Sequence, residues 1–335
     1  MTDHQVAPLI DTFGRVHTNL RISVTDRCNI RCFYCMPQEN VRFRPRDEIL
    51  TFEEIERFAR VAARLGVSKL RLTGGEPLIR ADLPTLVEKL VDIDGITDVA
   101  LTTNGILLDD QAARLRKAGL HRLNISLDTL DEQTFRRIAR RNDLQRVLDG
   151  IAAARRAGFT KIRLNAVAIR NVNQADIVPL GQFARQHRLE LRFIEFMPLD
   201  AEDNWSQESV LSGEEIRQQL EASICDLLPV ERTDPSQPAV DYEFADGIGR
   251  IGFINPISQP FCSDCNRLRI TAEGQIRNCL FSLEEWDARA ILRGPGSDQD
   301  LAQLVRDSIR AKKPGHGIDS PSFIRPERAM YQIGG

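Results

Sequence analysis

The sequence predicts an α/β protein, an incomplete (β/α)6 barrel over residues 1–198 followed by a C-terminal α+β extension over residues 199–335. Three observations lead there. From residue 19 to about 196, short apolar runs alternate with longer amphipathic ones, as strand–helix units around a parallel sheet require. The strand-like runs end on Thr73-Gly74-Gly75, Thr102-Thr103-Asn104-Gly105, Ser126-Leu127-Asp128 and Met197-Pro198, which puts small and polar residues on the rim where barrel sites gather. After Met197 the rhythm breaks, first in a polar run at 200–207 and then in the Pro-containing segment 233–238.

Six strands are expected, at residues 20–24, 69–73, 99–102, 122–126, 162–168 and 191–194. The helix before the second strand begins with the capping box Thr51-Phe52-Glu53-Glu54 and carries Ile55, Phe58, Ala59, Ala62 and Leu65 at helical spacing. Further helices are expected at 83–91, 111–118, 144–157 and 177–186. In the extension, residues 242–244 and 250–254 flank Asp246-Gly247 as a hairpin, another strand covers 268–271, and a helix lies near 300–311. The tail 313–335 is rich in Pro and Gly and has no periodicity, yet Phe323, Ile324, Met330, Tyr331 and Ile333 offer apolar anchors.

Composition narrows the function. A formal net charge of −3 gives no global attraction to nucleic acid or anionic membrane, so a polyanionic ligand would have to be gripped by a local group of arginines. No stretch approaches the length of an apolar membrane span, and the opening Met1-Thr2-Asp3-His4-Gln5 is polar, so a cytoplasmic protein is expected. Thiols in that compartment stay reduced and available to metal. Cys225, inside Ile224-Cys225-Asp226-Leu227-Leu228, reads as a small buried apolar residue.

The other six cysteines form two triads, Cys28/Cys32/Cys35 and Cys262/Cys265/Cys279. Each triad is one ligand short of the four thiolates that usually hold a [4Fe–4S] cluster, which would leave an iron open to a small ligand. The front triad is a C-x3-C-x2-C run following the first strand. Zinc is the competing reading, but structural zinc wants four closed ligands, and His17 lies before the strand, poorly placed to be the fourth.

On this spacing, with Tyr34 just before the last cysteine, the chain resembles the radical S-adenosylmethionine (SAM) superfamily, and Arg71-Leu72-Thr73-Gly74-Gly75-Glu76-Pro77 is similar to that family's Gly-Gly-Glu motif. The barrel is then an incomplete TIM-type barrel of the radical SAM class. Gly74 and Gly75 are expected to let backbone groups approach a ligand closely.

Cys262-Ser263-Asp264-Cys265 followed by Cys279 looks like a zinc ribbon missing a ligand. Between these cysteines, however, lie Arg267 and Arg269, which strand alternation places on one face. Paired guanidiniums beside a metal with an open position suit an anion that also carries a ligating atom, as a nucleoside triphosphate does. The string Phe261-Cys262-Ser263-Asp264-Cys265-Asn266-Arg267-Leu268-Arg269 is similar to the signature of the MoaA-type GTP 3′,8-cyclase family, and the likeness extends to residues 20–29, the Gly-Gly-Glu run, Thr102-Thr103-Asn104-Gly105 and the terminal Gly334-Gly335.

That resemblance implies two [4Fe–4S] clusters, one on Cys28, Cys32 and Cys35 and one on Cys262, Cys265 and Cys279, with SAM contacted by Tyr34, Gly75, Ser126 and Met197. It implies GTP contacts from Arg21, Arg71, Thr102, Arg267 and Arg269, with Lys69 a further phosphate partner and Arg163 standing where the family usually has lysine. Catalytic roles would fall to Arg267, Arg269, Gly334 and Gly335, the tail entering the cavity to orient GTP or an arginine. The implied reaction is hydrogen abstraction at C3′ of GTP by a deoxyadenosyl radical, addition of that carbon to C8, and reduction with a proton, the first step of molybdenum cofactor synthesis. It further implies a low-potential electron donor, product transfer to a pyranopterin synthase, and a monomer or homodimer that binds neither membrane nor nucleic acid. Two alternatives remain, another radical SAM enzyme with an auxiliary cluster and a non-catalytic zinc-binding nucleic-acid module.

Overall fold

A computed structural model describes residues 8–200 and 202–334. All the regular strands among the described residues join one sheet. The first six are β1 (Asn19–Ser23), β2 (Lys69–Thr73), β3 (Asp98–Thr103), β4 (Arg122–Ser126), β5 (Ile162–Ala168) and β6 (Glu190–Glu195). They lie side by side in sequence order, each parallel to the next.

The chain after Met197 does not build a second sheet. It adds β7 (Leu227–Pro229), β8 (Val240–Phe244), β9 (Arg250–Ile254), β10 (Arg267–Ile270), β11 (Gln275–Arg277) and β12 (Trp286–Asp287) to the two flanks, in the order β12-β11-β10-β1-β2-β3-β4-β5-β6-β9-β8-β7. β10 runs parallel to β1 and β9 parallel to β6, so the six-strand expectation becomes a parallel core of eight. The hairpin expected around Asp246-Gly247 is the antiparallel pair β8 and β9.

The helices are α1 (Phe52–Arg64), α2 (Leu83–Val91), α3 (Leu108–Lys117), α4 (Glu132–Ala139), α5 (Leu144–Arg156), α6 (Ile177–Gln186), α7 (Gly213–Ser223), α8 (Ala288–Arg293), α9 (Asp298–Arg310) and α10 (Met330–Ile333). The capping box at Thr51 and Glu54 is formed, and Ile55, Phe58, Ala59 and Ala62 are buried against the sheet. Four helices went unread in the sequence: α4, α7, the six-residue α8 and the four-residue α10. In α4 only Phe135, Ile138 and Ala139 turn inward among charged neighbours, too short a stripe to stand out. α7 carries a capping box at Ser212 and Glu215 that could have marked it.

The tail is more ordered than its composition suggests. It ends in α10, where Tyr331 and Ile333 are buried, although Ile324 is 64% exposed and anchors nothing. Arg325 pairs with the fully buried Asp200, and Arg328 with Glu273 and Glu285, so ion pairs supply much of what apolar residues do not. Tyr331 packs on Met36 beside the front cysteine loop. Two residues on, Ile333 packs with Leu199 and Phe281 beside Cys279.

Candidate active site

Strand register sets the site. The front triad follows the last residue of β1, at the C-terminal end of the parallel strands. Arg267, two residues after Cys265, is aligned with Asn19, the first residue of β1, so the rear triad starts at the opposite end. The antiparallel return of β11 pairs Arg277 with Arg269, which brings Cys279 back abreast of Arg267. A single cavity of about 310 Å³ runs between the two ends and is lined by all six triad cysteines.

Halfway along it stands a row of arginines. Arg269, Arg21 and Arg71 occupy matched positions on β10, β1 and β2 and all face the cavity, with Arg267 one layer below. The Nε atoms of Arg21 and Arg71 and the hydroxyl of Thr102 are buried with no hydrogen-bond partner among the described residues. Burial, and then the neighbouring guanidinium, pull the pKa of each arginine in the row down: Arg21 well below its usual range beside Arg269, Arg71 likewise beside Arg21, and Arg269 to about 9 beside Arg267. Three like charges held side by side and largely shielded from water are unfavourable until an anion joins them.

Cations nearer the strand starts are arranged differently. Lys69 bonds Asp234 at 2.9 Å, Arg122 bonds Asp98 at 2.9 Å, Arg163 bonds Glu190, and Arg192 bonds Glu190 at 3.0 Å. These four cations are ion-paired, whereas Arg269, Arg21, Arg71 and, level with Lys69, Arg267 have no carboxylate partner among the described residues. Neither Lys69 nor Arg163 lines the cavity, whereas Arg192, which the sequence reading omitted, does.

Around the front triad, Tyr34 donates its hydroxyl to Asp128 at 2.5 Å, tying the cysteine loop to the end of β4. Burial raises Asp128 to about 6 despite that bond. Asn104 donates to Asn29 at 2.8 Å and lies 3.8 Å from the Cys28 sulfur. Glu76 holds this corner from behind by accepting bonds from the Thr103 hydroxyl and the Asn104 and Leu78 amides, and burial raises it to about 7. Burial also raises the thiols, Cys28 to about 11 and both Cys32 and Cys35 upward. Binding a metal here must release protons.

At the rear triad the balance reverses for one thiol. Burial opposes ionisation of Cys265, but Arg267 and Lys312 outweigh it and bring it to about 6. Arg267 Nε lies 3.4 Å from the Cys265 sulfur and its guanidinium covers the Phe261 ring. His17 is not part of either triad. It is buried against Asp11 at 3.1 Å, and its pKa falls to about 4, through burial first and the Lys312 charge second.

Tyr34, Gly75, Ser126 and Met197 all line the front half of the cavity. Gly74 and Gly75 line the cavity, and the absence of a Cβ also serves the local packing. A Cβ at Gly74 would come within 2.5 Å of the Thr25 carbonyl, and one at Gly75 within 2.3 Å of the Arg27 carbonyl. Their bareness lets the β2 loop lie on the backbone leading into the front triad, where the Gly75 and Glu76 amides bond the Thr25 and Arg27 carbonyls at 2.7 Å. Gly334, at φ +76°, is pressed against Thr73 and Ser23, and its carbonyl accepts a 2.8 Å bond from Arg269. Gly335 lies outside the described residues. Asn278 and His316 also line the rear half, and no spacing in the sequence marks either.

Comparison with known proteins decides the family. The family described as Radical SAM superfamily matches residues 22–184, and the one described as Molybdenum Cofactor Synthesis C matches residues 189–318. A protein of Rhodopirellula baltica named GTP 3′,8-cyclase is 52% identical over 330 residues, 98% of this chain and 92% of its own length. The chain belongs to the GTP 3′,8-cyclase family. A family member from Mycolicibacterium smegmatis, of the same name, is 44% identical over 98% of this chain and 92% of its own length. Among solved structures, that of Streptococcus suis SuiB bound to S-adenosylmethionine superposes with a TM-score of 0.64 at 14% identity, covering 94% of this chain and 75% of SuiB, a likeness of fold.

The donor sets agree with the cofactors such a family implies. Each triad offers three thiols to one cavity, and the front one has an amide nitrogen beside a sulfur, as iron–sulfur centres accept. Among the described residues, no three Cys, His, Asp or Glu side chains close in on one point as the ligands of a single ion do. No helix among the described residues is long and apolar enough to cross a membrane.

Proposed function

We propose that this protein is a GTP 3′,8-cyclase, holding a [4Fe–4S] cluster and SAM at the front triad and GTP between that triad and a second [4Fe–4S] cluster at the rear. One observation supports this above the others: the carboxylate-free row Arg269–Arg21–Arg71 stands between two thiol triads in a single cavity. A nucleoside triphosphate brings several negative charges to that row, and each charge-assisted hydrogen bond there is of the stronger, more directional kind.

When bound, the front cluster and SAM supply a 5′-deoxyadenosyl radical in exchange for one electron. The chain's own part is to fix the nucleotide. Arg21, Arg71, Arg267, Arg269 and Thr102 take the polar contacts, and with the triphosphate held, the ribose has few orientations left toward the SAM side. Tyr34, Gly75, Ser126 and Met197 form that side. Lys69 and Arg163 join the phosphates only by leaving Asp234 and Glu190, so they tune binding rather than found it. Gly334 steadies Arg269, and Phe261, Phe281 and Leu280 help keep water from the reacting carbon. On this reading residues 1–198 carry the SAM side and residues 199–335 the rear cluster and tail.

The hydrogen atom at C3′ passes to deoxyadenosine, C3′ bonds to C8, and one electron with one proton completes the dihydro ring, so the product is an isomer of GTP. A low-potential donor supplies the electrons, and a pyranopterin synthase receives the product. The test is an anaerobic reaction with GTP deuterated at C3′. Deuterium in 5′-deoxyadenosine together with a cyclised isomer of GTP is expected; SAM cleavage with neither refutes the proposal.

A further inference from the structure

Two buried cations that do not line the cavity hold the rear triad from behind. Arg15, 7% exposed, donates to the Cys262 carbonyl at 2.7 Å, the Lys313 carbonyl at 2.8 Å and the Pro314 carbonyl at 3.1 Å. Lys312, 4% exposed, donates to the Arg267 carbonyl at 2.8 Å and the Asn278 carbonyl at 2.6 Å. Arg267 follows Cys265 by two residues and Asn278 immediately precedes Cys279. Each of the three cysteine segments thus has a backbone carbonyl fixed by one of these side chains.

The two cations differ in what balances them. Arg15 is bonded through Nε to buried Asp11 at 2.5 Å, so its charge has an anion in the protein. Both hydrogen-bond partners of Lys312 are neutral carbonyls, no carboxylate among the described residues pairs with it, and the groups whose negative charge would bear on it are the thiols of Cys265 and Cys279. A buried ammonium is strongly unfavourable without an anion. A thiolate-held cluster supplies that anion and becomes more negative on reduction, so a fixed neighbouring cation favours the reduced state.

We propose that Lys312 and Arg15 form a cation clamp that fixes the three rear cysteine segments, and that Lys312 also supplies the charge that raises the reduction potential of the cluster they hold. Lys312 is then a positioning residue with an electrostatic effect, and the inference rests on the rear-cluster reading given above.

The test uses the full-length chain with Cys28, Cys32 and Cys35 replaced by Ala, so that iron and electron paramagnetic resonance report the rear cluster alone. This parent should hold about four irons. Lys312→Gln should lose iron to a chelator severalfold faster than the parent and shift the midpoint potential to more negative values, while Lys312→Arg keeps the potential. Arg15→Gln should speed iron loss with little shift in potential, because its charge is already balanced by Asp11. A Lys312→Gln chain with the parent's potential and iron-loss rate overturns the proposal. If that chain does not fold by circular dichroism, an Arg15→Gln chain that keeps the parent's iron-loss rate overturns it instead. A parent without iron would overturn the rear-cluster reading itself, an outcome separate from any difference among the variants.

Discussion

Replacing Arg71 with Met should make the nucleotide-free protein more stable and its grip on GTP weaker. Arg71 sits across from Arg21 on the adjacent strand, its Nε has no partner among the described residues, and burial with the Arg21 charge already pulls its pKa down. Strands about 4.8 Å apart put the two guanidiniums roughly 5–6 Å from each other, where the repulsion is about 3 kcal/mol at an effective dielectric constant of 20. The cavity admits water on one side, so roughly 1–2 kcal/mol of relief is a fair expectation. Met keeps most of the side chain's apolar bulk, and the melting temperature should rise by about 1.5–3 °C. Losing one charged hydrogen bond to the ligand should cost about 1.5–3 kcal/mol, or about a 10- to 150-fold weaker Kd. Thermal scans and titration calorimetry with GTP on the same cluster-loaded preparations measure both. A variant that melts earlier and binds GTP like the wild type would show that the row serves the fold and would refute the reasoning.

The remaining predictions touch the triads, the tail and one buried acid. Cys279→Ala should leave about four of about eight irons and retain SAM cleavage while cyclisation fails; loss of both activities in a folded chain would contradict the division of roles. Gly334→Ala places a Cβ within 2.8 Å of the Thr73 hydroxyl at a φ of +76°, which should displace the carbonyl held by Arg269 and leave SAM cleavage uncoupled from product. Normal cyclisation by that variant would remove the tail from the site. Glu76 keeps its proton to about pH 7 when folded, against an ordinary value of 4.5, so the stability it contributes is complete below about pH 4.5 and lost as the pH rises through 7. Urea unfolding should therefore show the wild type losing up to about 3 kcal/mol relative to Glu76→Gln between pH 5 and 8, and the opposite trend would exclude Glu76 as the cause.

What the sequence revealed and what it concealed divide along a physical line. Cysteine spacing, strand alternation and the capping box at Thr51 are local, and they located both triads, the cavity face of Arg267 and Arg269, and most helices. The family resemblance named Lys69 and Arg163 as phosphate contacts, but the carboxylates that engage them could not be read from it. Asp234 comes from a segment remote from Lys69 and pairs with it, and Glu190 does the same to Arg163. Gly74 and Gly75 line the cavity, but a glycine pair does not say which atoms will approach it, and backbone atoms of Thr25, Asp26 and Arg27 do so too. His316 reaches the cavity through a bond to the Pro256 carbonyl, a contact between separate loops.

The direction of β10 explains why one cavity has a triad at each end. Cys265 enters β10 and Cys28 leaves β1, so with the two strands parallel the triads fall at opposite ends of the barrel edge. An antiparallel β10 would have put Cys265 on the same rim as Cys28, with both clusters competing for the SAM side. From the level of Asn19 to that of Ser23 the strands rise by about 13 Å, at roughly 3.3 Å per residue. That span, with the cysteine loops beyond it, suits a single nucleotide lying lengthwise. It also explains the place of the arginines: Arg21 is the middle residue of the five in β1, and register carries Arg269 and Arg71 to the same height. The row is therefore as far as this strand allows from both clusters, where its positive charge can hold a triphosphate without directly ligating either metal site.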